Sequence, residues 1–187
     1  MPKISKKEEK SRKKQKISYS SIFLRYLIIL LAAFNSLFIF YFIFTPLTLY
    51  PVFFLSKIFF NATLTGNTII ANSFNIQIID ACVAGAAYYL LLILNLSTPN
   101  LKLKTRIKGL LFSFILLLLL NIIRIFILII LLFSFSSIFD ITHKFFWYFL
   151  STIFVILLWF LEVKLFNIKD IPFYSDIKIL IKGVKRK

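Results

Sequence analysis

The sequence predicts an all-α polytopic membrane protein with about four transmembrane helices, one short re-entrant or interfacial helix and a small extracytoplasmic β-hairpin. Of its 187 residues, 60% are hydrophobic and 18% are aromatic. With a mean hydropathy of +0.90, the chain has more apolar surface than a soluble domain of this size can bury, so we expect lipid to solvate most of it. The net charge of +16 is concentrated between the apolar stretches, which is typical of membrane topology rather than of nucleic-acid binding.

The first third of the chain combines a basic tail with two apolar segments. Residues 1–20 contain eight basic and two acidic residues, which predicts a disordered cytoplasmic tail that contacts anionic lipid. Residues 22–44 are long enough, at about 1.5 Å per residue, to cross a hydrocarbon core of about 30 Å. Residues 46–60 are too short for a second span, and Pro46 and Pro51 disfavour a continuous helix. We therefore expect an interfacial or re-entrant helix there.

A polar segment separates these residues from the remaining spans. Residues 61–80 alternate polar and apolar side chains on both sides of a predicted turn at 71–73, which indicates a β-hairpin on the membrane surface. Three further spans are expected, at about 81–97, 109–133 and 145–163. All of these elements belong to one membrane-embedded domain, 21–166, and a second basic tail, 167–187, follows it.

The distribution of basic residues predicts the orientation of the chain. The N-terminal tail contains eight, the loop at 98–108 contains four, and the segment from Lys164 onward contains seven, so 19 of the 23 lie on one side. By the positive-inside rule, both termini of this multi-pass protein face the cytoplasm across the cell membrane. The hairpin and the connector before the last span then face the extracytoplasmic side.

Three scarce residues are predicted to lie at one depth near that outer side. Cys82, the only cysteine, opens the second span, and His143, the only histidine, opens the fourth. Arg124 is fifteen residues into the third span, a rise of about 22 Å, which places it in the outer half of the membrane. A single cysteine and a single histidine exclude an internal disulfide and a Cys/His zinc site, so we expect neither a metal nor a cofactor.

The cysteine and the histidine each have a structural and a chemical interpretation. Cys82 is either a small packing residue or a nucleophile in the first turn of a helix capped by Asp80, where the helix dipole favours a thiolate and the Asp80 carboxylate opposes it. His143 is either an interfacial residue or a general base. A cap at Asp140 would place it in a first turn, which disfavours the imidazolium.

Arg124 is the least ambiguous of the three. An arginine at the centre of a span costs about 2.5 to 3.5 kcal/mol on insertion, so it usually faces a polar interior. Asn121, three residues earlier on the same helical face, is either its hydrogen-bond partner or a polar contact between helices. Together Cys82, Arg124 and His143 supply a nucleophile, a fixed positive charge and a proton carrier, which suffice for acyl transfer through a thioester.

The order and spacing of these elements resemble the archaeosortase and exosortase group of membrane-embedded cysteine transpeptidases. The resemblance runs from about Asn61 to about Glu162. Its motifs are Asp80-Ala81-Cys82 with Gly85 following, Asn121-Ile122-Ile123-Arg124, and Asp140-Ile141-Thr142-His143.

The resemblance implies a catalytic triad of Cys82, Arg124 and His143, with Asn121, Asp80 and Asp140 in support. It also implies substrates, namely secreted proteins whose C-terminal tail carries a short motif, a hydrophobic helix and a basic cluster. Cleavage near the motif would pass the new carboxyl end to a membrane lipid or another acceptor.

The main alternative is a non-enzymatic membrane subunit. In that case Arg124 and Asn121 would hold a partner helix or contact a lipid headgroup. A transporter fits less well, because four spans with one buried charge offer little for coupling and no inverted repeat.

Overall fold

Helices make up 78% of the molecule, and the remainder includes a small antiparallel sheet. The computed structural model describes residues 6–72, 74–99, 101–134, 136–146, 149, 151–174, 176–177 and 181. The predicted combination of a helical protein with a small β element is confirmed. In chain order, the described elements are α1 (Lys6–Phe60), β1 (Thr63–Thr65), β2 (Thr68–Ala71), β3 (Phe74–Gln77), α2 (Asp80–Val83), α3 (Gly85–Leu96), α4 (Leu103–Ser134), α5 (Ser136–Phe145) and α6 (Ser151–Leu165).

The first helix, α1, is longer than the sequence predicts. It begins at Lys6, inside the segment 1–20 that was expected to be disordered, and continues through Pro46 and Pro51. The prediction of a separate interfacial or re-entrant helix at 46–60 is therefore wrong. Proline removes one amide donor from a helix, and apolar helices packed against neighbours tolerate this loss better than isolated ones do.

Two helical segments in the described part of the chain are long and apolar enough to cross a membrane. They are Ser36–Phe60, with 25 residues, and Leu103–Ser134, with 32 residues. Positive φ angles at Ser36 (53°) and Leu37 (65°) distort α1 and separate Ser36–Phe60 from the shorter apolar segment Ser20–Phe34. Only 28% and 39% of the most apolar windows of the two long segments are buried inside the protein. Most of their apolar side chains therefore face outward, as contact with lipid requires.

Four transmembrane helices are not supported in this part of the chain. The predicted span 22–44 crosses the distortion in α1, and the predicted span 81–97 is broken, which leaves the 12-residue helix Gly85–Leu96. The predicted span 145–163 overlaps the 15-residue α6. At about 1.5 Å per residue, these two helices cover about 18 and 22 Å, which is less than a hydrocarbon core of about 30 Å. The remaining predicted span, 109–133, falls within the long helix α4.

The polar segment after α1 folds into three antiparallel strands, where the sequence predicts two. The strand order is β1-β2-β3, with Thr65 opposite Thr68 and Ala71 opposite Phe74 next to the two turns. Asn72, in the second turn, has a φ of 47°, which suits a two-residue hairpin connection. The strand that the sequence missed, β1, has three residues, too few for an alternating pattern to be recognised.

Aromatic contacts join α1, α3 and α4 and place the sheet at one end of the molecule. Phe44 stacks on Tyr88 with ring centroids 3.6 Å apart, and Phe114 contacts both rings edge-on. Near the C-terminal end of α4, Phe133 packs against Phe74 of β3 at 5.5 Å. The sheet therefore lies beside the C-terminal end of α4.

The opposite end of α4 is held by a buried polar cluster. Arg25 Nη2 donates to both carboxylate oxygens of Asp176, at 2.8 and 2.9 Å. Arg25 Nη1 also donates to the Thr98 carbonyl at 3.2 Å, and Arg106 Nη2 donates to the same carbonyl at 2.7 Å. Although Asp176 lies in the segment 167–187 that was predicted to be a tail, its side chain is only 1% exposed. These contacts bring the first half of α1, the α3–α4 loop and the segment after α6 together.

We expect Arg25→Ala and Asp176→Ala each to lower the thermal stability of the detergent-purified protein strongly. Removal of one member of a buried pair leaves the other charge uncompensated, which typically costs about 3 to 5 kcal/mol. The double variant should lose less stability than the sum of the two single losses. Lys169→Ala, at an exposed position, is the control. Melting temperatures of the single variants equal to that of the control would contradict the role of this pair.

Candidate active site

A cavity of about 350 Å³ lies between the sheet, α2, α4 and α5, and Cys82, Arg124 and His143 all line it. The structure thus brings the three scarce residues of the sequence to one place. The other lining residues come from β3 and the linker after it (75–79), from Ala81, from one face of α4 (Ile125, Leu128, Ile129 and Leu132), and from Phe139 and Phe146.

Cys82 is positioned by a helix that ends after one turn. The chain leaves β3 through Ile78 and Ile79 and forms α2, which is only four residues long. Ala84 then adopts a left-handed conformation, with φ 63° and ψ 37°, and α3 begins at Gly85. A left-handed alanine costs about 1 to 2 kcal/mol, so contacts elsewhere must stabilise this break.

The break leaves main-chain carbonyl groups of α2 without their usual amide donors. In a continuous helix, the amide of Ala87 would bond to the carbonyl of Val83, but here it donates to Ala84 at 2.9 Å. Carbonyl groups at a helix end need other partners. Asn121 supplies one, because its Nδ2 donates to Cys82 O at 2.8 Å and to Val83 O at 3.3 Å.

Arg124 also bonds to this turn, so Asn121 and Arg124 share an acceptor. Arg124 Nη2 donates to Cys82 O at 3.2 Å, and Nη1 donates to Ser151 Oγ at 2.6 Å. The sequence left open whether Asn121 pairs with Arg124 or joins two segments of the fold. The structure shows that Asn121 hydrogen-bonds to α2 from α4.

One donor of Arg124 has no partner among the described groups. The side chain is 6% exposed, and its Nε is buried without a hydrogen bond. A buried donor left unpaired costs about 1 to 3 kcal/mol. Arg124 lines the same cavity as Cys82, so a molecule bound there would lie beside the side chain that carries this unpaired donor.

His143 occupies a different helical position from the predicted one. It lies in the last turn of α5, a ten-residue helix formed by the predicted connector, rather than in the first turn of the last apolar helix. The argument from a helix N-terminus is therefore wrong for this residue. Its ring lies parallel to that of Phe139, with centroids 5.6 Å apart. Asp140 lies within α5 rather than at its cap, and its side chain is outside the described part of the structure.

Asp80 does not act as the predicted helix cap. It is the first residue of α2, and the residue in the cap position is Ile79, which makes no side-chain cap hydrogen bond. Because α2 is a single turn, few peptide dipoles are aligned there, and the helix dipole gives little support for a Cys82 thiolate. Asp80 is exposed and lines neighbouring cavities with Tyr41.

Ser151 is a residue of the site that the sequence did not indicate. It begins α6, accepts the hydrogen bond from Arg124 Nη1 and donates to the carbonyl of Phe146 at 3.3 Å. It thereby orients the guanidinium from the side opposite Cys82. Its position at the start of the last apolar helix was the only available sequence signal.

The chemistry of the cavity depends on the few polar groups that line it. Within the described residues, no group of three or more His, Cys, Asp and Glu side chains is placed to hold a metal ion. A thiol, a guanidinium and an imidazole instead line a cavity whose remaining walls are mostly aliphatic and aromatic. Low polarity of this kind strengthens a hydrogen bond to a developing negative charge.

We expect Asn121→Ala to destabilise the turn that carries Cys82. The substitution leaves the carbonyl of Val83 without its side-chain donor and weakens the bonding of Cys82 O, which should cost about 1 to 3 kcal/mol. Thermal unfolding of the purified protein measures the loss. Ile123→Ala, at an exposed position of the same helix, serves as the control. Equal stabilities for the two variants would argue against this role of Asn121.

Comparison with known proteins provides no relative from which to assign a function. No family model, curated protein or solved structure matches the chain. The function must therefore be argued from the residues of the cavity themselves.

Proposed function

We propose that this protein is a membrane-embedded cysteine peptidase or transpeptidase similar to the archaeosortase and exosortase group. Its substrates are secreted proteins whose C-terminal tail carries a short motif, an apolar helix and a basic cluster. The observation that carries the proposal is the cavity shared by Cys82, Arg124 and His143. The buried Nε of Arg124, which has no partner among the described groups, supports it.

The chemistry proceeds through a thioester. His143 takes the proton of the Cys82 thiol as the sulfur attacks the carbonyl carbon of the scissile bond, and Arg124 Nε donates a hydrogen bond to the resulting oxyanion. When the carbon–nitrogen bond breaks, His143 returns that proton to the leaving amine. A hydroxyl or amine of the acceptor, or water, then attacks the thioester and transfers its proton to His143. When the carbon–sulfur bond breaks, His143 passes this proton to the departing sulfur, which restores the Cys82 thiol.

A membrane setting fits both the chemistry and the outward-facing apolar surface. In this proposal, Ser36–Phe60 and Leu103–Ser134 cross the cell membrane, α3 packs against both of them, and α6 packs against α3 and α4. The basic loop at 98–108 and the buried cluster around Arg25 and Asp176 lie at the cytoplasmic end together with both termini. The sheet and the cavity then face the extracytoplasmic side, where the motif of a tail with a cytoplasmic basic end would lie.

A non-catalytic membrane subunit is the rival function. That hypothesis assigns Asn121 and Arg124 to contacts with a partner helix or a lipid. In the structure, Asn121 donates within the chain, and both terminal nitrogens of Arg124 do so as well. These contacts inside the chain account for the burial of both side chains without a partner helix or a lipid.

We expect Cys82→Ala to abolish processing of a co-expressed tailed secreted protein while the variant inserts and accumulates normally. The substitution removes the attacking sulfur and little volume. Immunoblots of the substrate measure the ratio of uncut to cut protein. Ser134→Ala, at an exposed position at the end of α4, is the control. Normal processing by Cys82→Ala would show that the proposal is wrong.

A thioester can be trapped directly in the same system. Hydroxylamine attacks thioesters, so its addition should yield a substrate with a new C-terminal hydroxamate, detectable by mass spectrometry. The product should be absent with Cys82→Ala. If wild-type protein leaves every tail uncut and instead copurifies with a stoichiometric membrane complex, the rival function is correct.

Arg124→Lys should reduce the cleavage rate far more than Ser151→Ala does. Lysine keeps the positive charge but lacks the planar set of donors that bonds to Ser151 and Cys82 and leaves Nε free. Loss of one oxyanion donor typically costs about 10²- to 10³-fold in rate. Ser151→Ala removes an anchor of the guanidinium and should cost about tenfold or less. Cleavage rates of the two variants measured in proteoliposomes test this expectation. Wild-type activity of Arg124→Lys would rule out oxyanion binding by Arg124.

A further inference from the structure

Among the described residues, the small sheet has two unpaired edges, on β1 and on β3, and the edge of β3 is the one beside the cavity. The strand order β1-β2-β3 leaves β3 with a neighbour on one side only. An exposed strand edge presents a row of free amide and carbonyl groups to any chain that can pair with it.

The pairing register shows which main-chain groups face that open edge. The amide of Ile78 donates to the carbonyl of Asn67 at 2.9 Å, so these two residues form a hydrogen-bonded pair. Two residues along the same ladder, Ile76 lies opposite Ile69 and forms the next hydrogen-bonded pair. Opposed residues of antiparallel strands alternate between hydrogen-bonded and non-bonded pairs. The amide and carbonyl groups of Asn75 and Gln77 therefore point away from β2.

The cavity that contains Cys82 runs along this edge. Five consecutive residues, 75–79, line it, whereas among the described residues none from β1 or β2 does so. Successive side chains of a strand point to opposite faces, so a cavity over one face would touch only alternate residues. Contact with all five indicates that the cavity meets β3 edge-on. Cys82 follows this stretch by three residues.

The opposite wall of the cavity offers no partners to these main-chain groups. It consists of Ile125, Leu128, Ile129 and Leu132 of α4, which have only apolar side chains. A helix that entered the cavity would already have its main-chain groups bonded internally. An extended chain would have free groups to pair with the edge.

We propose that the substrate segment beside the scissile bond binds in extended form as a fourth strand, paired with the free main-chain groups of Asn75 and Gln77. This inference rests on the proposed peptidase function and specifies how the site holds its substrate. At about 3.3 Å per residue, the edge at 75–79 accommodates about four substrate residues. Main-chain pairing supplies the affinity, and the apolar wall of α4 selects alternate side chains.

Proline substitutions on β3 test the pairing. Asn75→Pro and Gln77→Pro each remove an outward amide, and proline is tolerated on an edge strand when its nitrogen faces away from the ladder. Each should reduce the cleavage rate about fivefold to tenfold, as expected for one lost hydrogen bond. Asn75→Ala and Gln77→Ala keep the amide, so each should lose less activity than the proline variant at the same position.

Two measurements separate lost pairing from a damaged fold. The proline variants should keep the wild-type melting temperature and the wild-type rate of Cys82 alkylation, whereas Ile76→Pro, which removes an inward amide, should lower the melting temperature. Wild-type cleavage by Asn75→Pro and Gln77→Pro would overturn the inference and leave the peptidase proposal intact. A drop in cleavage that the alanine variants share equally would also overturn it, because the side chains would then be responsible.

A substrate-side experiment gives a second, independent readout. N-methylation of successive amides in a cleavable tail peptide should slow cleavage with a period of two residues, because only alternate amides of a paired strand face its neighbour. Uniform sensitivity would contradict strand pairing.

Photo-crosslinking keeps the inference testable if no tail is cut. With benzoylphenylalanine at position 77 of the Cys82→Ala protein, the co-expressed tailed protein should crosslink through its motif segment. Crosslinks to its apolar helix, or none, would overturn the inference, whereas absence of cutting by wild-type protein refutes only the peptidase proposal.

Discussion

The hydrogen bonds between Asn121 and the broken turn after Cys82 are the constraint on which the site depends. The left-handed Ala84 ends α2 after four residues and frees its last carbonyl groups. Asn121 Nδ2 and Arg124 Nη2 then meet at Cys82 O, at 2.8 and 3.2 Å. The same contacts that stabilise the break therefore fix the cysteine and the arginine relative to each other.

The position of this turn also explains why the sheet lies where it does. β3 is connected to α2 by two residues, and Phe74 packs on Phe133 at the end of α4. The strand edge, the cysteine and the apolar face of α4 consequently border one cavity. At the other end of α4, the Arg25–Asp176 pair and Arg106 fix the loop between α3 and α4. The long helix α4 thus connects the buried polar cluster at one end with the candidate active site at the other.

Some of the elements predicted from the sequence agree with the structure and others do not, and each difference has a physical reason. The apolar run of α4 was predicted because its length leaves few alternatives. The span predicted over 81–97 did not hold, because the left-handed conformation of Ala84 has no signal in a residue type that strongly favours helices. The sequence predicts His143 in a first turn, because a cap at Asp140 would start the last apolar helix just before it. The predicted connector is instead α5, a ten-residue helix, and it reverses the position of His143 within its helix.

The sequence by itself determined the membrane-like composition, the long apolar helix and the identity of three scarce polar residues, because these follow from residue counts and from the cost of burying charge in an apolar segment. Only the tertiary structure decided that Cys82, Arg124 and His143 share a cavity, that Ser151 orients Arg124 and that the edge of β3 borders them. In α4, Asn121 and Arg124 indicate one inward face, but the apolar residues around them carry little periodicity to show how the rest of the helix is oriented. Packing against α1, α3, α5 and α6 sets that orientation, and with it the composition of the site.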